Sequence, residues 1–427
     1  MADLTPARVL ILASTFPASP DDPVPAFVLA QVVALARAHP ELEFHVLAPH
    51  DRRSHTATRT RHELFTEHRF HYVWPRGWER LAGRGIMPAL RESPVLYLVV
   101  PLLFLGELVA LRRLLRELRP AVVYAHWFTP QAIVASWATG RRTPFVFTTH
   151  ASDVEVWHRI PIIGPRMVRW ATRRSRAVTA VSSRSMGKLT SFFLMGLLPV
   201  PSRIVPMGVS LSTEPTARLR ASARKSLKLG TECVYLFVGR LVEKKGVEFL
   251  LDALAGPGAA LGEWTLIVAG DGPLRAALET RAAELGILNR LRFAGFVSGE
   301  AKAELFAAAD VFVVPSVISS DGDAEGLPVA LLEGLAAGLP CVATHESGAD
   351  DILTDGVDGL LCAQRDADAL RARLDELAGL TPALRARLAA RGRELARSFD
   401  WDVIAERHYT FLIAPYLNSP APSRDAR

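Results

Sequence analysis

Twice along this chain, short apolar runs rich in β-branched residues alternate with longer stretches of helical periodicity. That rhythm restricts the fold more than any other feature, because parallel strands covered on both faces and joined by crossover helices produce it. In the first half the runs predict strands at Arg8–Thr15, Glu43–Ala48, Ala121–Ala125, Phe145–Thr149 and Ala177–Val181, with helices such as Ala26–Ala38 and Leu102–Leu118 between them. A further strand, Arg203-Ile204-Val205, ends in the turn Pro206-Met207-Gly208-Val209. The second half repeats the pattern with strands at Cys233–Val238, Trp264–Ala269, Leu291–Ala294, Asp310–Val314 and Pro340–Ala343. Between the halves lies the polar, Pro-terminated stretch Ser210–Pro215, a linker within residues 210–217. A chain of 427 residues exceeds what one hydrophobic core usually serves. The expectation is therefore two Rossmann-like α/β domains, 1–209 and 218–400, a final amphipathic helix over 401–418 and a flexible tail over 419–427.

Charge is distributed unevenly between the halves. Residues 1–200 carry 25 Lys and Arg against 14 Asp and Glu, and residues 201–427 carry 25 against 30, so +11 faces −5. A basic first half suits anionic headgroups or an anionic acceptor, or is simply a set of solvated Arg-rich helix faces. No nucleic-acid-binding motif accompanies the charge, so nucleic acid is not expected as a partner. Cys233, Cys341 and Cys362 are too few and too scattered for a disulfide framework or a zinc site, which fits a reduced, cytoplasmic compartment. The run PVLYLVVPLLFLG, Pro94–Gly106, is 13 residues long and meets Glu107, short of the ~20 that a spanning helix needs. It predicts a helix that is either buried or lies at a membrane surface, the latter peripheral and at the inner face.

In open parallel sheets ligands bind outside the carboxyl ends of the strands, and the unusual residues fall there. Phe16-Pro17, His126, His150 and Ser182-Ser183 follow strands of the first half; Gly239-Arg240, Gly270-Asp271-Gly272, Gly295-Phe296 and Ser316 follow strands of the second. Neither half has GxGxxG after its first strand, so dinucleotide binding is not indicated. The segment GRLVEKKG, Gly239–Gly246, is a glycine-bounded strand exit from which Arg240 and Lys245 can offer fixed positive charge to a diphosphate. Gly270-Asp271-Gly272-Pro273 reads as a tight left-handed turn with Pro at a helix start, or as a ligand contact. The most informative run is Glu325-Gly-Leu-Pro-Val-Ala-Leu-Leu-Glu333. Pro328 in the first turn of a helix would leave that turn's free N–H groups and dipole as an anion site. Glu333, on an apolar stretch, requires a partner, and ribose hydroxyls would serve; Glu325 could accept from sugar hydroxyls. A capping acid and a surface glutamate are the bland alternative. His126, within AHWF, reads more simply as a satisfied structural residue.

Together these motifs, with GDGP and the later SG-x-x-D-I-L…G-x-x-G-L-L, resemble family-4 glycosyltransferases of the GT-B fold, and within them bacterial enzymes of exopolysaccharide and other cell-surface glycans. The resemblance is dense from Cys233 to Leu361 and continues more thinly through THASDV, Thr149–Val154. It implies two Rossmann-like domains facing a cleft, the last helix crossing back to the first domain, and hexosyl transfer from a nucleotide-diphosphate sugar to a glycan or lipid-linked acceptor with retained configuration and no metal or cofactor. Arg240 and Lys245 would hold the diphosphate and Glu333 the ribose, while Glu325 would take the sugar hydroxyls. Gly239, Gly326, Leu327, Pro328 and Val329 would bring backbone to phosphate and sugar, and Phe296 would flank the base. His150 would face the transferred sugar, with Asp153 beside it. Asp321-Gly-Asp323 matches a metal motif in letters but sits in the EGLP loop and reads as loop chemistry. Relatives often carry Gly-Gly where this chain has the glycine-free loop Phe16–Pro25, Gly-Gly where it has Ser347-Gly348, and Glu where it has Asp351. A nucleotide-sugar epimerase, a phosphorylase and a non-catalytic nucleotide-sugar binder are the competing readings on the same fold.

Overall fold

The computed structural model describes residues 6–17, 26–52, 57–82, 86–140, 143–150, 153–211, 215–256, 261–345 and 348–417. The loop after Pro17, part of the linker, Ser347 and the predicted tail lie outside them. The chain divides into two compact units, Met1–Gly208 with Trp401–Arg427, and Val209–Asp400.

The first unit holds an eight-stranded sheet: β1 (Ala7–Leu12), β2 (Leu42–Pro49), β3 (Arg59–Arg61), β4 (Phe65–Phe70), β5 (Val122–His126), β6 (Phe145–Thr149), β7 (Val178–Ala180) and β8 (Ser202–Ile204). Their order is β3-β4-β2-β1-β5-β6-β7-β8, parallel except for the edge strand β3. The chain winds outward from β1 in both directions, so the order reverses between β1 and β5. The second unit is wholly parallel: β9 (Cys233–Val238), β10 (Trp264–Ala269), β11 (Leu291–Gly295), β12 (Val311–Val314), β13 (Cys341–Thr344) and β14 (Leu360–Cys362), in the order β11-β10-β9-β12-β13-β14. Counted from its first strand this is 3-2-1-4-5-6, the doubly wound Rossmann order. The predicted strands all form, three with the predicted bounds and the rest with ends moved by one to three residues. β3, β4 and β14 were not predicted. RTR offers no apolar run, FTEHRF alternates in charged residues yet is buried, and LLC is too short to register.

Local chemistry sets many helix boundaries. The helix Phe27–Ala38 stops before His39-Pro40, as the residue ahead of a proline avoids helical geometry. Side chains of Ser182, Thr216, Asp366 and Thr381 accept from N–H groups three residues on and cap the helices that follow. Each sheet buries an apolar layer, from Leu10, Val123 and Phe147 in the first unit to Leu266, Val313 and Val342 in the second. Each fully buried Leu or Val of this kind contributes roughly 1.5–3 kcal/mol relative to exposure.

Two segments bear on function. Trp401–Leu417 runs as helix through a π turn at Tyr409–Ile413 and joins the first unit. There His39 lies 3.1 Å from Glu406 and stacks on Tyr409, and His408 Nδ1 lies 3.2 Å from the Tyr124 hydroxyl. The apolar run at 94–106 begins as a short 3₁₀ turn, Pro94–Leu98, and continues as the helix Val100–Leu118. Along the run and the helix that continues it, Leu96, Val99, Leu103, Leu111 and Leu114 are buried, while Tyr97, Leu98, Leu105 and Val109 remain exposed. No helix among the described residues is long and apolar enough to cross a membrane.

Candidate active site

In the second unit the order reverses between β9 and β12, and the loops leaving these two strands interlock. Val317 N donates to Lys244 O at 2.8 Å, and Ser320 N donates to the Glu243 carboxylate at 2.8 Å. Gly246 is required where the loops meet: it has φ +61°, and a Cβ there would lie 2.0 Å from Pro315 O. This contact brings Lys245 Nζ to 3.2 Å from Glu325 Oε2, with Lys244 Nζ 3.8 Å from Oε1 and 3.2 Å from Asp323. Gly239 borders the same spot, since a Cβ on it would stand 3.3 Å from Lys245 Cε. Arg240 projects into solvent, with no ion pair or side-chain hydrogen bond to any described residue.

Two buried polar atoms here lack hydrogen-bond partners among the described residues, Glu325 Oε1 and Ser316 Oγ. The Glu325 carboxylate is compensated by the two lysine ammoniums, but Oε1 makes no hydrogen bond of its own, and an unmade buried hydrogen bond is costly. Both lie at the strand-order reversal, where open parallel sheets bind ligands.

The EGLP segment differs from expectation at its helix. The helix is Val329–Ala336 and Pro328 is its N-cap, at φ −78°, ψ 83°, rather than a first-turn residue. Glu333 therefore lies about one turn in, not two beyond the first turn, and it is partnered: Lys302 Nζ is 2.6 Å from Oε1, with both side chains about a quarter exposed. Gly326, Leu327 and Pro328 are buried just ahead of it. Phe296 stands apart at 61 % exposure after β11. The GDGP turn also departs from the reading made of it. Gly270 has φ +142°, outside the left-handed helical well, and a Cβ there would strike Gly239 O at 1.8 Å, so only glycine fits; Pro273 precedes the helix Arg275–Glu284 by two residues. Asp321 accepts from Ser319 and Asp323 N, and Asp323 from Ala324 N and Lys244, which keeps both carboxylates in loop contacts.

The first unit presents a separate constellation at the ends of β5 and β6. His126 Nδ1 and His150 Nε2 are 3.2 Å apart, and Trp127 and Phe27 pack on the His150 ring at 4.9 and 5.5 Å between centroids. Burial holds His150 down to about 3 and His126 well below its usual value, so both are neutral at physiological pH. Asp153 accepts from Phe128 N at 2.6 Å, Thr149 Oγ1 at 2.6 Å and His150 N at 3.1 Å; its carboxylate staples the two strand exits together. Burial, opposed by those donors, pushes it up to about 6. Trp127 holds φ +70°, an unusual value for a bulky residue and one that functional sites tend to carry.

Lys302 is the site neighbour that the sequence does not reveal. Lys302 lies in an ordinary polar helix pattern and no signal marks it; Ser316 stands at a strand exit as the sequence places it, and the fold adds that its Oγ has no hydrogen-bond partner among the described residues.

Comparison with known proteins agrees with both halves. Glycosyltransferase Family 4 matches residues 28–213, and Glycosyl transferases group 1 matches residues 220–395. The chain belongs to the family-4 glycosyltransferases. This glycosyltransferase is 30 % identical over 233 residues to the putative colanic acid biosynthesis glycosyltransferase WcaL of Salmonella typhimurium, covering 54 % of this chain and about half, 55 %, of that one. It is 29 % identical over 310 residues to a GDP-mannose-dependent α-(1-6)-phosphatidylinositol monomannoside mannosyltransferase of Mycobacterium tuberculosis, covering 71 % and 78 %. Among solved structures, Anabaena Alr3699/HepE in complex with UDP-glucose superposes with a TM-score of 0.66 at 18 % identity, over 96 % of this chain and 99 % of that one, a likeness of fold. The two Rossmann-like units are the GT-B architecture that the motifs predicted.

Proposed function

We propose that this family-4 glycosyltransferase moves a hexose from a nucleotide-diphosphate sugar to a glycan or lipid-linked acceptor with retained configuration. The observation that carries the reading is the interlocked β9–β12 exit, where Lys245, the Glu325 carboxylate with its unbonded Oε1 and the buried EGLP backbone converge, with Arg240 exposed and making no ion pair among the described residues. In this reading Arg240 and Lys245 take the diphosphate and Glu333 the ribose. Glu325 takes the sugar hydroxyls and Phe296 flanks the base. His150, positioned by Asp153, meets the transferred sugar as a neutral ring. The relatives support a sugar nucleotide donor in general terms, one named for GDP-mannose and a fold neighbour bound to UDP-glucose. The colanic acid relative supports an exopolysaccharide setting.

Replacing Arg240 or Lys245 with Ala is expected to weaken UDP and GDP binding by roughly 1.5–3 kcal/mol, the range for charge-assisted hydrogen bonds. Titration calorimetry of both variants reads this directly. Undiminished affinity in both would remove the assignment, and donor consumption yielding an isomerised sugar nucleotide instead of a transferred sugar would replace transfer with epimerisation.

Two fixed cations and a helix N-terminus can stabilise the departing diphosphate in place of a metal. Turnover is accordingly expected to persist in excess EDTA. A loss under EDTA that Mg²⁺ or Mn²⁺ restores would refute the metal-free reaction.

The acceptor side faces a membrane in this proposal, peripherally at the cytoplasmic face. Leu98, Leu105 and Val109 are exposed, and Arg112, Arg113 and Arg116 stand exposed on the helix that carries Leu105 and Val109. Binding to anionic vesicles is expected to fall as salt rises toward and past 0.15 M, where screening acts beyond about 8 Å, and to weaken in Leu105→Ser. Sedimentation that is equal with neutral and anionic vesicles would count against it.

A further inference from the structure

Away from the residues assigned above, the first unit gathers two imidazoles around one buried carboxylate. β2 and β4 run in register to Pro49↔Phe70, so the next residues of each, His50 and His71, emerge side by side with ring centroids 4.3 Å apart. The short turn Arg76–Trp78 then delivers Glu79, whose backbone O is fixed by Arg52 N at 2.9 Å. Glu79 is fully buried. His50 Nδ1 lies 2.7 Å from its Oε2, His71 Nδ1 lies 2.9 Å from its Oε1, and Tyr72 N donates to Oε1 at 3.1 Å. One ligand atom from each of the three residues lies within 4.8 Å of the others.

Two features point beyond structural hydrogen bonding. No lysine or arginine pairs with Glu79 among the described residues, so a fully desolvated carboxylate depends on imidazoles for compensation. The donor set, two imidazole nitrogens and one carboxylate oxygen from three separate places in the chain, is one that zinc-class ions select and that magnesium does not. Ligands at about 2.0–2.1 Å from a tetrahedral ion lie roughly 3.3 Å apart. The carboxylate-to-imidazole separations of 2.7 and 2.9 Å would need to open by roughly half an ångström.

We propose that His50, His71 and Glu79 bind one divalent zinc-class cation, leaving a fourth position to water or a ligand. Binding displaces the protons that the Nδ1 atoms share with Glu79 and ties the ends of β2 and β4 to the 71–82 segment. Without metal the triad keeps the hydrogen bonds described, so chelation empties the site while the fold and the cations assigned to the diphosphate stay in place.

The test uses the full chain, stripped with chelator and exchanged into chelator-free buffer. Titration with Zn²⁺ is expected to show one site per chain and a raised Tm, and Co²⁺ to give the intense visible absorption of a four- or five-coordinate ion. Excess Mg²⁺ should not compete. His50→Ala and His71→Ala are each expected to weaken Zn²⁺ at least tenfold, and His158→Ala, an exposed histidine of the same unit, to leave it unchanged. Zn²⁺ binding of undiminished affinity and stoichiometry in both triad variants overturns the proposal. Should those variants fail to fold, the wild-type Co²⁺ spectrum decides it, since octahedral, weakly absorbing Co²⁺ or no saturable binding overturns it equally.

Discussion

Glu107→Gln is expected to make the protein more stable than wild type at pH 9 by on the order of 4 kcal/mol, and to match it near pH 4. Glu107 lies mid-helix in Val100–Leu118 with its carboxyl fully buried, and burial pushes it up to about 8 from 4.5. Its neighbour is the Gln131 amide at 3.4 Å. The amide orientation that satisfies both other contacts donates to His126 O and accepts from Ser14 N, at 3.2 Å each, which turns the amide oxygen toward Glu107. Only a protonated carboxyl can donate to it. The sign follows from a raised folded-state value: the folded chain keeps a proton that the unfolded chain releases above pH 4.5. Stability tied to this group is full below that pH and is lost as pH rises through about 8. Glutamine fills the same volume and donates at every pH, so the alkaline loss should vanish. His126, His150 and His408 act at the acid end, because the unfolded chain takes up protons below about 6.5 that their buried rings refuse. Both proteins carry those histidines, and the difference between the curves isolates Glu107. Denaturant midpoints from pH 4 to 9 measure it; parallel curves would show that Glu107 is ionised in the folded state.

Much of this was legible in the chain itself. Runs such as CVYLFV and WTLIVA, short and set between helical stretches, read as buried parallel strands, and their exits hold glycines and cations that the fold brings together. What could not be read was anything fixed by tertiary approach. β4 is wholly buried although its sequence is FTEHRF, because Arg69 is neutralised by Glu67 and satisfied by the Phe16 and Pro17 carbonyls at 3.0 and 2.9 Å. Pro328 caps its helix instead of opening it. Lys302 claims Glu333 from thirty-one residues away, and the His50–His71–Glu79 triad has no sequence spacing that marks a metal site. Periodicity reports what a strand or helix buries, and says nothing of which charged groups two loops bring face to face.

The largest effect on chemistry is expected at Glu325. Glu325→Gln should lower turnover by about 10²–10³-fold, the range for removing one preorganised polar contact to a transition state. It should leave free UDP or GDP binding unchanged or somewhat tighter. The reason for that direction is structural: Lys245 lies 3.2 Å from Glu325, so a neutral residue there releases Lys245 to an incoming diphosphate and removes a repelling charge. Glu333→Gln should do the opposite, weakening nucleoside diphosphate and intact donor alike, since a ribose contact is made by both. Lys302 complicates that variant, because it loses its 2.6 Å partner, and Lys302→Ala is the control. If Lys302 merely holds the carboxylate in place, its removal should reproduce part of the Glu333→Gln loss and none of the Glu325→Gln phenotype. His150→Ala should resemble Glu325→Gln, sparing diphosphate and lowering turnover. Because its ring is neutral down to about pH 3, wild-type turnover should show no ionisation attributable to it across pH 5–9. Dissociation constants for diphosphate and donor, with kcat, on the four variants separate these outcomes. Loss of diphosphate affinity in Glu325→Gln with none in Glu333→Gln would exchange the two roles, and full activity in all four would move the site elsewhere.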